Sequence, residues 1–255
     1  MPAELAPCLD AVFWNTGQAD ALEHLAGLGV RAFEFWDWRT RDVGELADLC
    51  ARLELRPVAF SGNTFEEPLV DPAAHRTTLR HVAESLSIAS RLSVQTLVIH
   101  VGYAHRALSR EQQWRAAVRG LREAGALAGS SGATLVVEPL NSLVDHPGYF
   151  LDALPQASAL VREVDHPAVR LLLDVYHMAV MHHDLLDRLA DALPLVAHVH
   201  VADAPGRGEP GSGSLPWRQI VPALQRGYDG PVGLEWWPML PVDDALHRCR
   251  EELGG

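Results

Sequence analysis

Short apolar runs alternate with longer segments whose apolar positions recur at helical spacing along the whole 255-residue chain. An unbroken apolar run of about four to eight residues reads as a strand covered on both faces, and apolar spacing of three and four reads as a helix. On this pattern Leu5 to Phe13 is predicted as a first strand, with Ala19 to Gly29 as a helix closed by glycine. Arg31 to Trp36 is a second strand, followed by a helix over Asp42 to Leu53. Arg56 to Phe60 is a third, followed by the loop SGNTFEEPLVDP and a long helix from Ala73 to Leu92. Gln95 to His100 and Ala133 to Glu138 are the fourth and fifth strands, with helices over Ser109 to Ala128 and Tyr149 to Val164. Val169 to Asp174, Val196 to Val201 and Pro231 to Glu235 complete the strands. Their helices are Asp184 to Leu193, Trp217 to Gly227 and Asp243 to Leu253. Eight strand–helix pairs in this length predict a single α/β domain over residues 1–255, a (β/α)₈ TIM barrel with its parallel sheet closed. A doubly wound open sheet is the competing arrangement, and it would more often carry a glycine fingerprint after the first strand.

Reactive groups of such barrels sit at the carboxyl ends of the strands. Here strand four ends in His100, five in Glu138, six in Asp174, seven in His200 and eight in Glu235. Three carboxylates at the rim of an apolar core would repel one another, and a divalent cation removes that conflict. With His200 they make a four-ligand set whose oxygen-rich chemistry suits Mn²⁺, Mg²⁺ or Co²⁺, and Zn²⁺ also fits. A lone acid at a strand end is more often a helix cap or an ion-pair partner. Four consecutive strands ending in ligand-type residues point beyond that reading. His177 is expected as a substrate or outer contact, and His198, deeper on the face of His200, as a satisfied core histidine. His100 serves either as a wall of the site or as structure, and His182 and His183 read as surface. The cluster FEFWDW, Phe33 to Trp38, is expected to wall the barrel mouth, with Trp36 facing substrate, although packing explains Phe33 and Phe35 equally well. After His200 comes a loop with Asp203, Arg207, Glu209 and several glycines, which lets backbone approach a ligand closely.

Charge narrows the choice of partner. A net charge of −12 argues against a nucleic-acid partner. All 21 basic residues are arginine, so chemistry through a lysine Schiff base is excluded. No GxGxxG follows a strand and no GxxxxGK[ST] occurs, which leaves dinucleotide and P-loop readings without support. No apolar run is long enough to span a membrane, and three scattered cysteines suit a reducing compartment, so a cytoplasmic protein is expected.

At these residues the sequence resembles the xylose isomerase-like TIM-barrel superfamily, and within it the hydroxypyruvate isomerases, with ketose 3-epimerases next. The resemblance rests on EPLN at Glu138–Asn141, HPGYF at His146–Phe150, DVYH at Asp174–His177, HVHVADAPGRGEPGSG, and GLEWWP at Gly233–Pro238. It implies one divalent metal on Glu138, Asp174, His200 and Glu235, with Glu138 and Glu235 as the acid/base pair. His177 and Arg207 are implied as substrate contacts, and a homodimer or homotetramer as the assembly. The expected reaction is isomerisation of a small hydroxy-carbonyl compound, hydroxypyruvate to tartronate semialdehyde, through an enediolate. Two positions depart from the hydroxypyruvate isomerase pattern. His200 stands where those enzymes carry glutamine and ketose 3-epimerases carry histidine, and Ser214 stands where their GTGEI loop has glutamate. A ketose 3-epimerase is therefore the main alternative. An AP endonuclease-like zinc enzyme and a non-catalytic sugar-binding barrel are the others.

Overall fold

Eight parallel strands in the order β1-β8-β7-β6-β5-β4-β3-β2 form one sheet in the computed structural model, which describes residues 4–182 and 184–254. The strands are β1 Leu5–Pro7, β2 Ala32–Glu34, β3 Arg56–Ser61, β4 Thr96–Ile99, β5 Thr134–Val137, β6 Val169–Asp174, β7 Val196–Val201 and β8 Val232–Leu234. β1 pairs with β8, and among the described residues the seam between β1 and β2 is spanned by a single parallel bridge, Cys8 to Glu34. The helices are α1 Leu9–Val12, α2 Gln18–Gly27, α3 Val43–Leu53, α4 His75–Leu92 and α5 Arg110–Ser131. The chain continues with α6 Leu154–Val164, α7 Val175–Met181, α8 Leu185–Ala192, α9 Trp217–Leu224 and α10 Val242–Leu253. This is the α/β TIM barrel that the pattern predicts. No described helix is long and apolar enough to cross a membrane.

Three segments differ from the sequence reading. Leu5 to Phe13 is not one strand: pairing stops after Cys8, and Leu9–Val12 forms a helical turn. An apolar run of that length satisfies both periods, so hydrophobicity alone does not divide it. The helix expected from Tyr149 begins only at Leu154, where Pro155 near its first turn fixes the start. The short helix α7 follows β6 without a loop, because the Asp174 side chain accepts a hydrogen bond from His177 N and caps it. The other boundaries agree to within a few residues.

Strand alternation builds three apolar clusters. Outward residues pack under the helices in the main core, while Val98, Val136 and Leu172, with Ala197 against them, and Ala6, Ala32 and Val58 form two separate small ones. By the same alternation Glu138 follows Val136, and Asp174 follows Leu172, on one face of their strands. Register then sets the site. Asp174 lies opposite His200, and His200 lies opposite Gly233, so neighbouring strands deliver their polar ends to one level.

Candidate metal centre and substrate cleft

Glu138, Asp174, His200 and Glu235 converge at the carboxyl end of the barrel, with one ligand atom from each inside a 4.8 Å span. All four are buried. His200 Nδ1 lies 3.7 Å from Glu138 Oε1 and 3.8 Å from Glu235 Oε2. Glu138 Oε1, Asp174 Oδ2 and His200 Nδ1 find no hydrogen-bond partner among the described residues, and His200 Nε2, on the side of Glu34, finds none either. Buried polar atoms are ordinarily paired, so three unpartnered ones facing a common point need a ligand. Carboxylate oxygens with one imidazole nitrogen are the donor set of a divalent cation, and the residues present fit one.

Their protonation follows from this crowding. Burial pushes the Glu138 carboxyl up, but His100 and His200 outweigh it and hold the group well below the usual range. Burial likewise opposes ionisation of Glu235, yet Arg207 and His200 bring it down to about 2. For Asp174 burial prevails and raises the carboxyl. Burial disfavours charge on His200, but Glu34 and the carboxylates of Glu138 and Glu235 raise it well above the ordinary imidazole value. Two ionised glutamates and one reluctant aspartate therefore share the centre.

The other expected site residues are brought together around it. His100 Nε2 lies 3.4 Å from Glu138 Oε2, and Asn63 clamps the His100 backbone, accepting from its N–H and donating to its carbonyl. His177 is fully buried, with Nε2 3.8 Å from Asp174 Oδ2. Its Nδ1 accepts from Asn141 N at 3.2 Å and Asn141 Nδ2 at 2.8 Å. That assignment puts the ring proton on Nε2, which is buried, unpartnered and turned toward the centre. Trp36 donates from Nε1 to Glu235 Oε1 at 2.6 Å, and Arg207 donates to Glu235 Oε2 at 2.5 Å. The Arg207 guanidinium also lies over the rings of Tyr176 and Trp237.

Arg207 is held by a loop organised on one acid. Asp203 is fully buried, and its carboxylate accepts from Ala204 N, Gly211 N, Leu215 N and Trp217 Nε1. Arg207 sits in the left-handed region at φ 55°, a conformation that costs a non-glycine residue about 1 kcal/mol. Backbone bonds from Arg207 N to Asp203 O and from Trp237 N to Arg207 O fix it there. A Cβ at Gly213 would run into Ala204 O and Asp203 Oδ1, so the loop closes only with glycine at that position. Glu209 is also buried, accepting from Met239 N and Arg248. Ser214 donates to Ala204 O at the exposed edge.

Around these groups lies a cleft of about 460 Å³, walled by Phe35, Trp36, Phe60, Phe65, Leu140 and Trp237. The FEFWDW segment thus divides: Trp36 and Phe35 line the cleft, Phe35 also packing in the main core, whereas Phe33 packs in the core alone. Phe65 packs on His100 and His146, and Tyr103 donates or accepts at His146 Nδ1. His182 is half-buried and accepts from Leu154 N, and His183 lies outside the described residues.

Glu34 was missed in the sequence. It is buried at the end of β2, with Oε1 2.6 Å from His198 Nε2 and Oε2 2.9 Å from His200 Nε2. The available signal was an acid inside the aromatic strand AFEF, where a solvent-facing residue would be out of place. Asn141 and Asp145 were missed in the same way, although Asn141 belongs to the EPLN motif and orients His177.

The family described as Xylose isomerase-like TIM barrel matches residues 22–252. The chain belongs to that family. A putative hydroxypyruvate isomerase of Streptomyces coelicolor is 31% identical over 232 residues, covering 84% of this chain and 83% of the relative. A putative hydroxypyruvate isomerase of Homo sapiens is 36% identical over 132 residues, 51% of this chain and 48% of its own length. The match thus spans about half the length of that relative. Among solved structures, one titled AP endonuclease, family 2, from Brucella melitensis superposes with a TM-score of 0.85 at 28% identity. That superposition covers 96% of this chain and 97% of the other.

Proposed function

We propose that the chain is a divalent-metal-dependent isomerase of a small hydroxy-carbonyl compound, in the manner of hydroxypyruvate isomerase. The observation that carries this reading is the pair Glu138 and Glu235, both buried and both held ionised, in one cluster with unpartnered ligand atoms. The hydroxypyruvate isomerase names of the relatives support the reaction class. Glu138, Asp174, His200 and Glu235 would hold the cation, with Mn²⁺, Mg²⁺ or Co²⁺ preferred by the donor set and Zn²⁺ also accommodated. A bound cation supplies Lewis-acid polarisation of the substrate carbonyl and its neighbouring hydroxyl.

The chain's own residues move the proton. Glu138 and Glu235 come from strands β5 and β8 and approach a bound substrate from different sides. One removes the proton alpha to the carbonyl, giving the enediolate. The other, also ionised at rest, takes the hydroxyl proton and returns it to the neighbouring carbon, while the first gives its proton to the former carbonyl oxygen, so both end ionised. His177 offers its Nε2 proton to a substrate oxygen. Arg207, steadied by Tyr176 and Trp237, meets a carboxylate or a developing oxyanion. The aromatic walls exclude water from the enediolate.

Replacing Glu235 by Gln is expected to lower turnover by about 10²–10⁴-fold, the usual worth of general acid/base action, while some metal stays bound. Metal analysis and a coupled assay with hydroxypyruvate check this, and near-normal turnover in E235Q would sink the mechanism. A second reading, a ketose 3-epimerase, is favoured by His200 and by a cleft roomier than a three-carbon acid requires. Fructose, tagatose and ribulose assayed beside hydroxypyruvate separate the two. An AP endonuclease-like trinuclear zinc site has weaker support, because β3 leads into Ser61-Gly62-Asn63 without a histidine and the net charge is −12. Three zinc ions per chain would revive it. Metal-dependent sugar binding with no turnover of any substrate would favour a non-catalytic barrel.

A further inference from the structure

The geometry points to Glu34 as the positioning residue of the metal centre, holding His200 by Nε2 so that Nδ1 faces Glu138, Asp174 and Glu235. This inference rests on the metal-isomerase reading and assigns it a residue outside the ligand set. An ionised carboxylate only accepts hydrogen bonds. His198 Nε2 is hydrogen-bonded to Glu34 Oε1 at 2.6 Å, and His200 Nε2 lies 2.9 Å from Glu34 Oε2 in an ion-pair contact that does not close as a hydrogen bond. Both ring nitrogens of His200 are buried without a hydrogen-bond partner among the described residues. Nε2 is turned to Glu34, and once the ring is neutral a proton held on that side leaves the Nδ1 lone pair toward Glu138 and Glu235. His198 occupies the second oxygen, which stops the Glu34 carboxylate from rotating away.

The seat is built for this bridge. Glu34 is 3% exposed and His198 is 2% exposed, and a buried carboxylate is costly unless it is paired. A Cβ at Gly233 would lie 2.5 Å from His200 Cδ2 and 2.6 Å from Glu34 Oε2. Only glycine leaves room there. Strands β2, β7 and β8 thus each contribute one element: the carboxylate, the two imidazoles and the space. Glu34 also forms the bridge to Cys8 that spans the β1–β2 seam.

The test is Mn²⁺ titration of the full chain by calorimetry, with Glu34→Gln and Glu34→Asp beside wild type. Loss of an outer partner of a histidine ligand is expected to weaken Mn²⁺ binding by about 10–100-fold in E34Q. E34D, which retracts the carboxylate by one methylene, is expected to fall between E34Q and wild type. Proton spectra of the Co²⁺-loaded protein give a readout that altered folding alone would not move. Wild type should show a shifted, slowly exchanging ring N–H from His200 Nε2, and E34Q should lose that protection. A folded E34Q with Mn²⁺ affinity within about twofold of wild type would overturn the assignment. If E34Q fails to fold, unchanged affinity in E34D overturns it instead. A wild-type chain that binds no Mn²⁺, Mg²⁺, Co²⁺ or Zn²⁺ would overturn the metal reading itself.

Discussion

Inside the barrel, the pair Glu34–His198 and the group Glu138, Asp174, His200 and Glu235 use the same residue types at similar burial, yet they differ in what is left unpaired. Glu34 Oε1 and His198 Nε2 are hydrogen-bonded to each other at 2.6 Å, and Glu34 Oε2 has a 2.9 Å ion-pair contact with His200 Nε2. In the outer group Glu138 Oε1, Asp174 Oδ2 and His200 Nδ1 meet none among the described residues. Burial and residue type therefore do not separate a structural cluster from a functional one. Unused hydrogen-bonding capacity does, because leaving it unused lowers stability and persists where binding requires it. His200 belongs to both clusters, one nitrogen to each.

The comparison can be broken from either side. Gly233→Ala places a methyl group against both His200 and Glu34, and overpacking of this kind is expected to destabilise the protein by about 1–3 kcal/mol. Thermal unfolding checks it, and a wild-type melting temperature would mean the inner cluster has more room than its geometry implies. The outer cluster should respond in the opposite direction. Asp174→Asn keeps the oxygen that caps α7 and removes a carboxyl whose ionisation burial opposes. Metal binding should fall sharply, while the metal-free protein should gain about 1 kcal/mol, or about 2–4 °C in Tm. A lower Tm for metal-free D174N would show that Asp174 Oδ2 is not a strained group.

Acid supplies the finest test. The Glu235 carboxyl is brought to about 2 from an ordinary 4.5 despite burial, chiefly by Arg207. Its folded value lies below its unfolded one, so its contribution to stability is complete above about 4.5 and is lost as pH falls toward about 2. Arg207→Met removes that cause, and the fall in Tm between about pH 5 and pH 3 should be shallower than in wild type. Parallel acid limbs would show that Arg207 does not set the Glu235 carboxyl.

Much of this arrangement was legible because it repeats. Apolar runs closed by His100, Glu138, Asp174, His200 and Glu235 mark both the strands and the ends that face the cleft. Arg207 could be read from its glycine-rich loop. Glu34 was harder to read: the acid within AFEF was a local signal, but its partners lie 164 and 166 positions away, and a strand between aromatic residues reads as packing. The division of Leu5 to Phe13 was hidden for a different reason: a mostly apolar segment fits a strand and a helical turn alike. Asp174 carries a double role, cap of α7 and member of the outer cluster, and sequence reading assigned only the second.

The loop after β7 has one further consequence. Its course is pinned at Asp203 by three backbone amides and the Trp217 indole, and those posts lie at its two ends and at Gly211. Between the posts Arg207 and Glu209 add ties of their own, to Trp237 and Glu235 and to Met239 and Arg248, so the exposed side chain of Ser214 is the one that anchors least. Freedom to vary is therefore confined to the exposed edge of the loop. Its recognition chemistry can diverge through a few substitutions while the barrel beneath is preserved, which suits a fold that hosts many reactions on one scaffold.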